Sequence, residues 1–321
     1  MSETLTLSLA CSLSDRTRPV LDGRVSIPNL RFQVIQGEPE DIFRRALREK
    51  AFEIAELSMG SHIVTTARGD SAYIGVPVFL SRAFRHSAIY VRTDRGIRTA
   101  ADLAGRTIGL PEYQQTAALW VRGILREHYG VDTKAIRWRI GSERIAITLP
   151  EGFDVAPAGE SLDTALAEGR IDALIAPRPP ACYVNRTAPV ARLFEDYRSE
   201  EEAWHKASGF FPLMHCLAVR RDVAERHPWL PTELFRAFAR AKAMSLEELA
   251  QVNFLRVSLP WIAAEAAKQS AFMGGNPWPY GFARNRDEVA AMIRYAVADG
   301  LAARVMEPEE LFHPSVLGLV E

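Results

Sequence analysis

Cysteine is scarce in this chain. Of 321 residues only Cys11, Cys182 and Cys216 are cysteines, and they stand far apart. No Cys-x-x-Cys pair or even-numbered framework exists, which excludes a zinc ribbon and a disulfide scaffold and leaves reduced, buried thiols. Excess charge of either sign is also missing: 39 Lys and Arg face 40 Asp and Glu, a formal net charge of −1. That balance gives no electrostatic case for nucleic acid or an anionic membrane as partner. No apolar run approaches the roughly 18 residues of a membrane span. The opening Met1-Ser-Glu-Thr-Leu-Thr-Leu-Ser-Leu-Ala10 has neither a basic n-region nor an unbroken apolar h-region. These absences predict a soluble, cytoplasmic protein. Gly-x-Gly-x-x-Gly, the P-loop, His-Glu-x-x-His and Gly-x-Ser-x-Gly are absent as well, which disfavours a nicotinamide or ATP enzyme.

What is present is globular. Hydrophobic residues make up 48% and charged residues 25%, and at roughly 150 residues per domain the length suits two domains or one large one. Leu5, Leu7 and Leu9 alternate with polar residues, and Leu30 to Ile35 repeats the pattern, so both read as strands. Glu38 to Lys50 has helical spacing, Phe52 to Leu57 is a strand, and Ser58 to Ser61 opens a helix stopped by Gly69. Ile74 to Phe79 and Ala88 to Val91 are further strands. Around Thr93 the pattern restarts, with strands at 106–110, 136–140 and 171–176 and helices at 114–128 and 161–168. Leu213 to Val219 reads as a returning strand. Helices follow at 232–243, from Ser245 onward with its own capping box, and at 287–298.

Strands alternating with helices argue an α/β chain with mostly parallel sheets. The mid-chain restart predicts two α/β lobes: residues 1–90 plus 220–321 form the first and 91–219 the second. The crossovers fall near Ala88 to Thr93 and Leu213 to Arg220. Ligands of such folds sit between the lobes, at strand C-terminal ends and helix N-termini.

Five polar groups fall where this reading puts loops at strand ends: Asp15-Arg16-Thr-Arg18, Ser81-Arg82-Ala-Phe-Arg85-His86, Glu112-Tyr-Gln114-Gln-Thr116, Arg178, and His215 in the return segment. Each has an ordinary structural use. Loop Arg and Asp are commonly solvated, Gln114 and Thr116 suit plain helix caps, and a lone His on an apolar segment is commonly a satisfied core residue.

A resemblance adds to this. Leu9-Ala-Cys-Ser-Leu-Ser-Asp-Arg-Thr-Arg-Pro-Val-Leu-Asp-Gly-Arg-Val25, Val78-Phe-Leu-Ser-Arg-Ala-Phe-Arg-His-Ser-Ala-Ile-Tyr-Val91, the segment Leu110 to Leu125, Ala176-Pro-Arg-Pro-Pro180 and Phe211-Pro-Leu-Met-His215 resemble the 4,5-dihydroxyphthalate decarboxylase family. So do Arg256-Val-Ser-Leu-Pro-Trp261, Trp278-Pro-Tyr-Gly281 and Pro308-Glu-Glu-Leu-Phe312, while Glu143 to Phe153 matches less clearly. The resemblance implies a type II periplasmic-binding-protein-like fold and conversion of 4,5-dihydroxyphthalate to protocatechuate and CO2.

Such a substrate is an ortho-dicarboxylate, and Arg forks hold carboxylates by two hydrogen bonds. Arg16, Arg85 and Arg178 come from three separate loops and are expected to converge on it. Asp15 is expected to accept from a ring hydroxyl, and Ser61, Gln114 and Thr116 lie at helix N-termini that add N–H donors. His86, His215 and Glu112 are the candidate proton-transfer residues. His86 is preferred as donor to the ring because two arginines beside it can hold substrate against it. Protonating the carbon that bears the departing carboxylate needs no organic cofactor and no metal, although two histidines and a carboxylate can also form a three-ligand site. A solute-binding protein or a sensor for a small aromatic acid is the alternative reading. Homo-oligomerisation is left open.

Overall fold

The computed structural model describes residues 4–321; the first three residues of the N-terminal stretch read above lie outside it. Alternating and continuously apolar runs form the strands, which are β1 (Leu5–Cys11), β2 (Leu30–Gln36), β3 (Ile54–Ser58), β4 (Tyr73–Arg82), β5 (Ile89–Arg92), β6 (Thr107–Leu110), β7 (Arg137–Ile140), β8 (Val155–Pro157), β9 (Ala173–Ile175), β10 (Val190–Arg192) and β11 (Leu213–Arg220). Helices fill the gaps: α1 (Arg18–Leu21), α2 (Pro39–Glu49), α3 (Met59–Arg68), α4 (Thr116–Glu127), α5 (Leu162–Ala167), α6 (Ala181–Val184), α7 (Tyr197–Ser208), α8 (Arg221–Arg226), α9 (Leu230–Ala250), α10 (Ile262–Phe272) and α11 (Phe282–Ala298). No helix among the described residues is long and apolar enough to cross a membrane.

Two sheets result. The first has the order β2-β1-β3-β11-β4 and the second β10-β5-β9-β6-β7-β8. In the first, β1 lies parallel to β2 and β3, and β11 is inserted antiparallel between β3 and β4. In the second, β6 runs parallel to β7 and β9, and β5 is antiparallel between β9 and β10. The ladders therefore correct the expected division at two points. β5 joins the second sheet from Ile89, and all of β11 joins the first. Periodicity marks a strand, but its partners are chosen by which neighbours satisfy its backbone groups.

The C-terminal region packs largely on first-lobe elements, with one helix shared between the lobes. α9 packs on β4 and α1, but α11 packs on both α3 and α4, one helix from each lobe. A buried ion pair fixes that bridge: Arg122 of α4 reaches Asp299, just past α11, at 2.6 Å, and Arg126 reaches the same carboxylate at 2.8 Å. The expected break at Ser245 is absent. α9 is one continuous helix, and the Ser245 hydroxyl donates to the carbonyls of Ala241 and Asp15 instead of capping a new helix.

The lobes meet at two helix N-termini. Ser58, the cap of α3, shares a 2.8 Å hydrogen bond with the Thr116 hydroxyl at the start of α4. The backbone N–H of Gly60 donates to that same hydroxyl oxygen at 2.9 Å. Glycine is required here by close approach, because a Cβ at residue 60 would overlap the backbone carbonyl oxygen of Gln114. Gly60→Ala is expected to lower stability by about 1–3 kcal/mol, the usual cost of overpacking. A thermal melt of the variant measures it, and an unchanged Tm would mean that the lobes do not meet at this contact.

Candidate active site

Glu56 lies in the middle of β3, between Ala55 and Leu57, and is 0% exposed. A carboxylate there needs partners, since desolvation without hydrogen bonds is costly. It has three. The backbone N–H of Ser12, just past β1, donates to Oε2 at 2.7 Å, and the Ser12 hydroxyl donates to the same oxygen at 2.6 Å. His215 of β11 donates from Nδ1 to Oε1 at 2.6 Å. Burial pushes the Glu56 carboxyl upward, but the hydrogen bond and charge of His215 and the two bonds from Ser12 outweigh it, leaving it below the ordinary carboxylate value. With Nδ1–H committed to Glu56, the chemistry of His215 passes to Nε2, which no described protein group hydrogen-bonds. The pairing of β11 with β4 slips on either side of His215, an irregularity of the kind that re-aims a side chain.

The facing wall comes from the loops after β6 and β7. Phe43 of α2 meets the His215 ring edge-on at 4.7 Å, and the Arg144 guanidinium lies 5.2 Å over the Phe43 ring. Arg144 pairs with Glu112 at 2.9 Å, and the Gln114 amide donates to the other Glu112 oxygen at 3.2 Å. Burial raises the Glu112 carboxyl above the ordinary value, Arg144 opposing and Glu40 adding to it. The segment carrying Arg144 is gripped from the other lobe. Arg48 donates to the carbonyls of Arg144 and Glu143 at 2.8 and 2.7 Å, and Arg68 to that of Ala146 at 2.7 Å. Beside this group lies a cavity of about 330 Å³ walled by Glu40, Glu112, Gln115, Ser142, Arg144 and Arg178. Its size falls in the range of small-molecule sites, about 300–1,000 Å³.

The structure thus links His215 to Glu112 through Phe43 and Arg144, with Gln114 and Thr116 alongside. Ser61 is 0% exposed on α3, next to the Gly60–Thr116 contact, and its hydroxyl has no partner; the Gln114 Oε1 atom is buried and equally unpartnered. His86 is placed elsewhere. It is 1% exposed in an aromatic cage, 5.3 Å from the Phe194 ring, 5.9 Å from Trp204 and 6.0 Å from Tyr129. Neither ring nitrogen has a partner, and burial, with His128 adding, lowers its pKa to about 4. No contact joins His86 to His215 or Glu112, and among the described residues no group of three or more His, Cys, Asp or Glu could hold a metal ion.

The expected arginines also separate. The Arg16 Nε and Nη2 atoms both donate to the Leu80 carbonyl, at 2.9 and 2.6 Å. Its Nη1 pairs with the exposed Asp15 at 3.0 Å, and the guanidinium stacks 4.0 Å over Trp278. That makes Arg16 a staple between the loop after β1 and the end of β4. Arg178 is 73% exposed and bridges the lobes to Glu38 at 2.7 Å and Glu40 at 3.5 Å. Arg82, one of the two arginines beside His86, is buried against Glu288 at 3.2 Å and is also bonded to Asn285. Of these four arginines, Arg85 has no carboxylate within ion-pair range among the described residues; its Nε donates to the Met214 sulfur at 3.2 Å. Burial, with Glu201 opposing, lowers the Arg85 pKa to about 10, so it stays charged at neutral pH.

Sequence reading missed Ser12, Phe43, Glu56 and Arg144. Glu56 had a signal: a single acid inside the apolar run Ile54-Ala-Glu-Leu57 is out of place in a buried strand unless it has a task. Its depressed pKa sets a pH dependence. Stability from Glu56 is present above the ordinary carboxylate pKa of 4.5 and is lost as pH falls through the lower folded value. Glu56→Gln should therefore flatten the acid limb of a Tm-against-pH curve by about one proton. An identical slope in the variant would show that Glu56 is not ionised in the folded state.

No protein-family model matches the chain. A curated 4,5-dihydroxyphthalate decarboxylase of Comamonas testosteroni is 44% identical over 322 residues, covering 98% of each chain. Another of that name from Pseudomonas putida is 43% identical over 215 residues, covering 64% of this chain and 83% of the relative. Among solved structures, the periplasmic aliphatic sulphonate binding protein SsuA of Escherichia coli superposes with a TM-score of 0.56 at 14% identity, over 99% of this chain and 100% of the other. The last likeness concerns the fold alone: two lobes of the periplasmic-binding-protein type. By identity over nearly its whole length, the chain belongs to the 4,5-dihydroxyphthalate decarboxylase family.

Proposed function

We propose that the protein is a carboxy-lyase that converts 4,5-dihydroxyphthalate to protocatechuate and CO2 by protonating the ring. The observation that carries this reading is the 2.6 Å hydrogen bond from His215 Nδ1 to the buried Glu56, which leaves Nε2 without a protein partner. Glu56 holds the imidazole in one tautomer and stabilises its cation, the part a carboxylate plays behind a general acid. The imidazolium delivers its Nε2 proton to the ring carbon bearing the departing carboxylate. The bond from that carbon to the carboxylate then breaks, its electron pair returns to the ring, and CO2 leaves. A substrate dianion plus one proton gives the protocatechuate monoanion plus CO2, and neutral His215 regains its proton from solvent.

Other residues bind and orient. Arg85, charged and without a carboxylate of its own, holds one substrate carboxylate. The unpartnered Ser61 hydroxyl donates to the substrate, and the unpartnered Gln114 Oε1 accepts from the ring hydroxyl para to the reacting carbon, helping that oxygen push electron density inward. Thr116 keeps the two helix starts in place. Glu112, held above the ordinary carboxylate value, is the second proton-carrying group of the site. Both relatives at 43% and 44% identity carry the decarboxylase name, which favours catalysis over simple solute binding.

The test is incubation with 4,5-dihydroxyphthalate, following CO2 release and protocatechuate formation with and without a chelator. Turnover unaffected by chelation is expected. His215→Ala should lower kcat by about 10²–10⁴-fold, the usual contribution of a general acid, whereas His86→Phe should stay within about threefold because the His86 ring is enclosed by Tyr129, Phe194 and Trp204. Binding without CO2 release would overturn the reading, and a near-normal kcat in His215→Ala would overturn the proton assignment.

A further inference from the structure

We propose that Arg144 selects the ortho-dicarboxylate: the carboxylate that stays on the ring displaces Glu112 from the Arg144 guanidinium, and Glu112 takes up one proton from solvent in compensation. This rests on the functional reading above and adds to it a selectivity residue and a proton uptake.

The first observation is the pair itself. Arg144 and Glu112 meet at 2.9 Å with side chains 7% and 8% exposed, on the wall of the 330 Å³ cavity. The fork of Arg144 is thus engaged by a carboxylate of the protein's own, of the kind a ligand carboxylate would replace. The second is the position of the fork. Arg144 and the His215 ring both pack on Phe43, at 5.2 and 4.7 Å from its ring, so a carboxylate held there keeps its aromatic ring on the side of the proton donor. The third is the scaffold. Arg48 and Arg68 from the opposite lobe hold the 143–146 backbone by its carbonyls, so contacts from both lobes position Arg144.

Charge arithmetic supplies the proton. The cavity is walled by two cations, Arg144 and Arg178, and two carboxylates, Glu40 and Glu112, which cancel. A dianion entering adds two negative charges; Arg85, which holds one carboxylate in the reading above, answers one of them, and protonating Glu112 as it is released removes another. Glu112 is faced by Arg144 from the loop after β7, by Glu40 and Arg48 from α2, and by Gln114 on its own loop. Once Arg144 is taken, burial and Glu40 both favour the neutral form. A monocarboxylate has no second group for Arg144 and does not require this exchange.

The test uses phthalate and benzoate, which carry the carboxylates without the hydroxyls, and isothermal titration in buffers of different ionisation enthalpy. Wild type should take up about one proton on binding phthalate, and that affinity should fall as pH rises through the Glu112 pKa, where the ionised side chain competes for Arg144. Arg144→Lys, which keeps the charge but not the fork, should weaken phthalate about tenfold or more and benzoate less than about threefold. Glu112→Gln should abolish the proton uptake, remove the pH dependence and tighten phthalate at alkaline pH, which a merely structural Arg144–Glu112 pair would not do. Equal weakening of both acids in Arg144→Lys, or unchanged proton uptake in Glu112→Gln, would overturn the assignment while leaving the decarboxylase reading intact. Failure of wild type to bind phthalate together with failure to release CO2 from 4,5-dihydroxyphthalate would overturn both.

Discussion

An ionised carboxyl with no exposed surface is tolerable only while its partners stay in place, and Glu56 is such a group. Its three hydrogen bonds, two from Ser12 just past β1 and one from His215 of β11, tie three strands of one sheet together at β3. Satisfying this buried charge therefore fixes how β11 enters the sheet. β11 is the segment by which the chain returns from the second lobe, so the same constraint that orients the imidazole also sets where the lobes rejoin. Removing either partner would leave a buried acceptor unmet, which costs more than the bond itself contributes.

The second lobe brings complementary chemistry to the same place. Loops after parallel strands β6, β7 and β9 carry Glu112, Arg144 and Arg178, and α2 and α3 of the first lobe meet them with Arg48, Glu38 and Arg68. Beside the Ser58–Thr116 and Gly60–Thr116 bonds, many polar contacts across the cleft use an arginine on a backbone carbonyl or a carboxylate. A near-neutral protein with many arginines is thus internally neutralised, and a dianionic ligand has to compete with internal carboxylates for those forks. Arg85 has no carboxylate of its own.

Much of this was legible in the sequence because it follows from local pattern. Alternation of Leu5, Leu7 and Leu9, the glycine stop at Gly69 and the restart near Thr93 are short-range signals, and the two-lobe α/β architecture follows from them. Strand partners were less legible: β5 and β11 fall at the expected crossovers, but which sheet each completes is decided by distant segments. His215 and Glu112 were legible as polar groups at strand ends. His86 carried the same signal, yet it sits in a cage built by Tyr129, Phe194 and Trp204 from residues 43 to 118 positions away, which no local pattern reports. Arg144 lay hidden for the opposite reason. Its stretch has no period, and its position is set by Arg48 from the other lobe.

The central claim is that Glu56 holds His215 as the Nδ1–H tautomer with Nε2 turned to the substrate. Nitrogen-15 NMR of the histidine-labelled protein tests it most directly, with the resonance assigned by comparison with a His215 variant. The account predicts a protonated Nδ1 at neutral pH, its proton shifted strongly downfield by the short bond to Glu56 and returned toward ordinary values in Glu56→Gln. An unprotonated Nδ1, with the lone proton on Nε2, would contradict it.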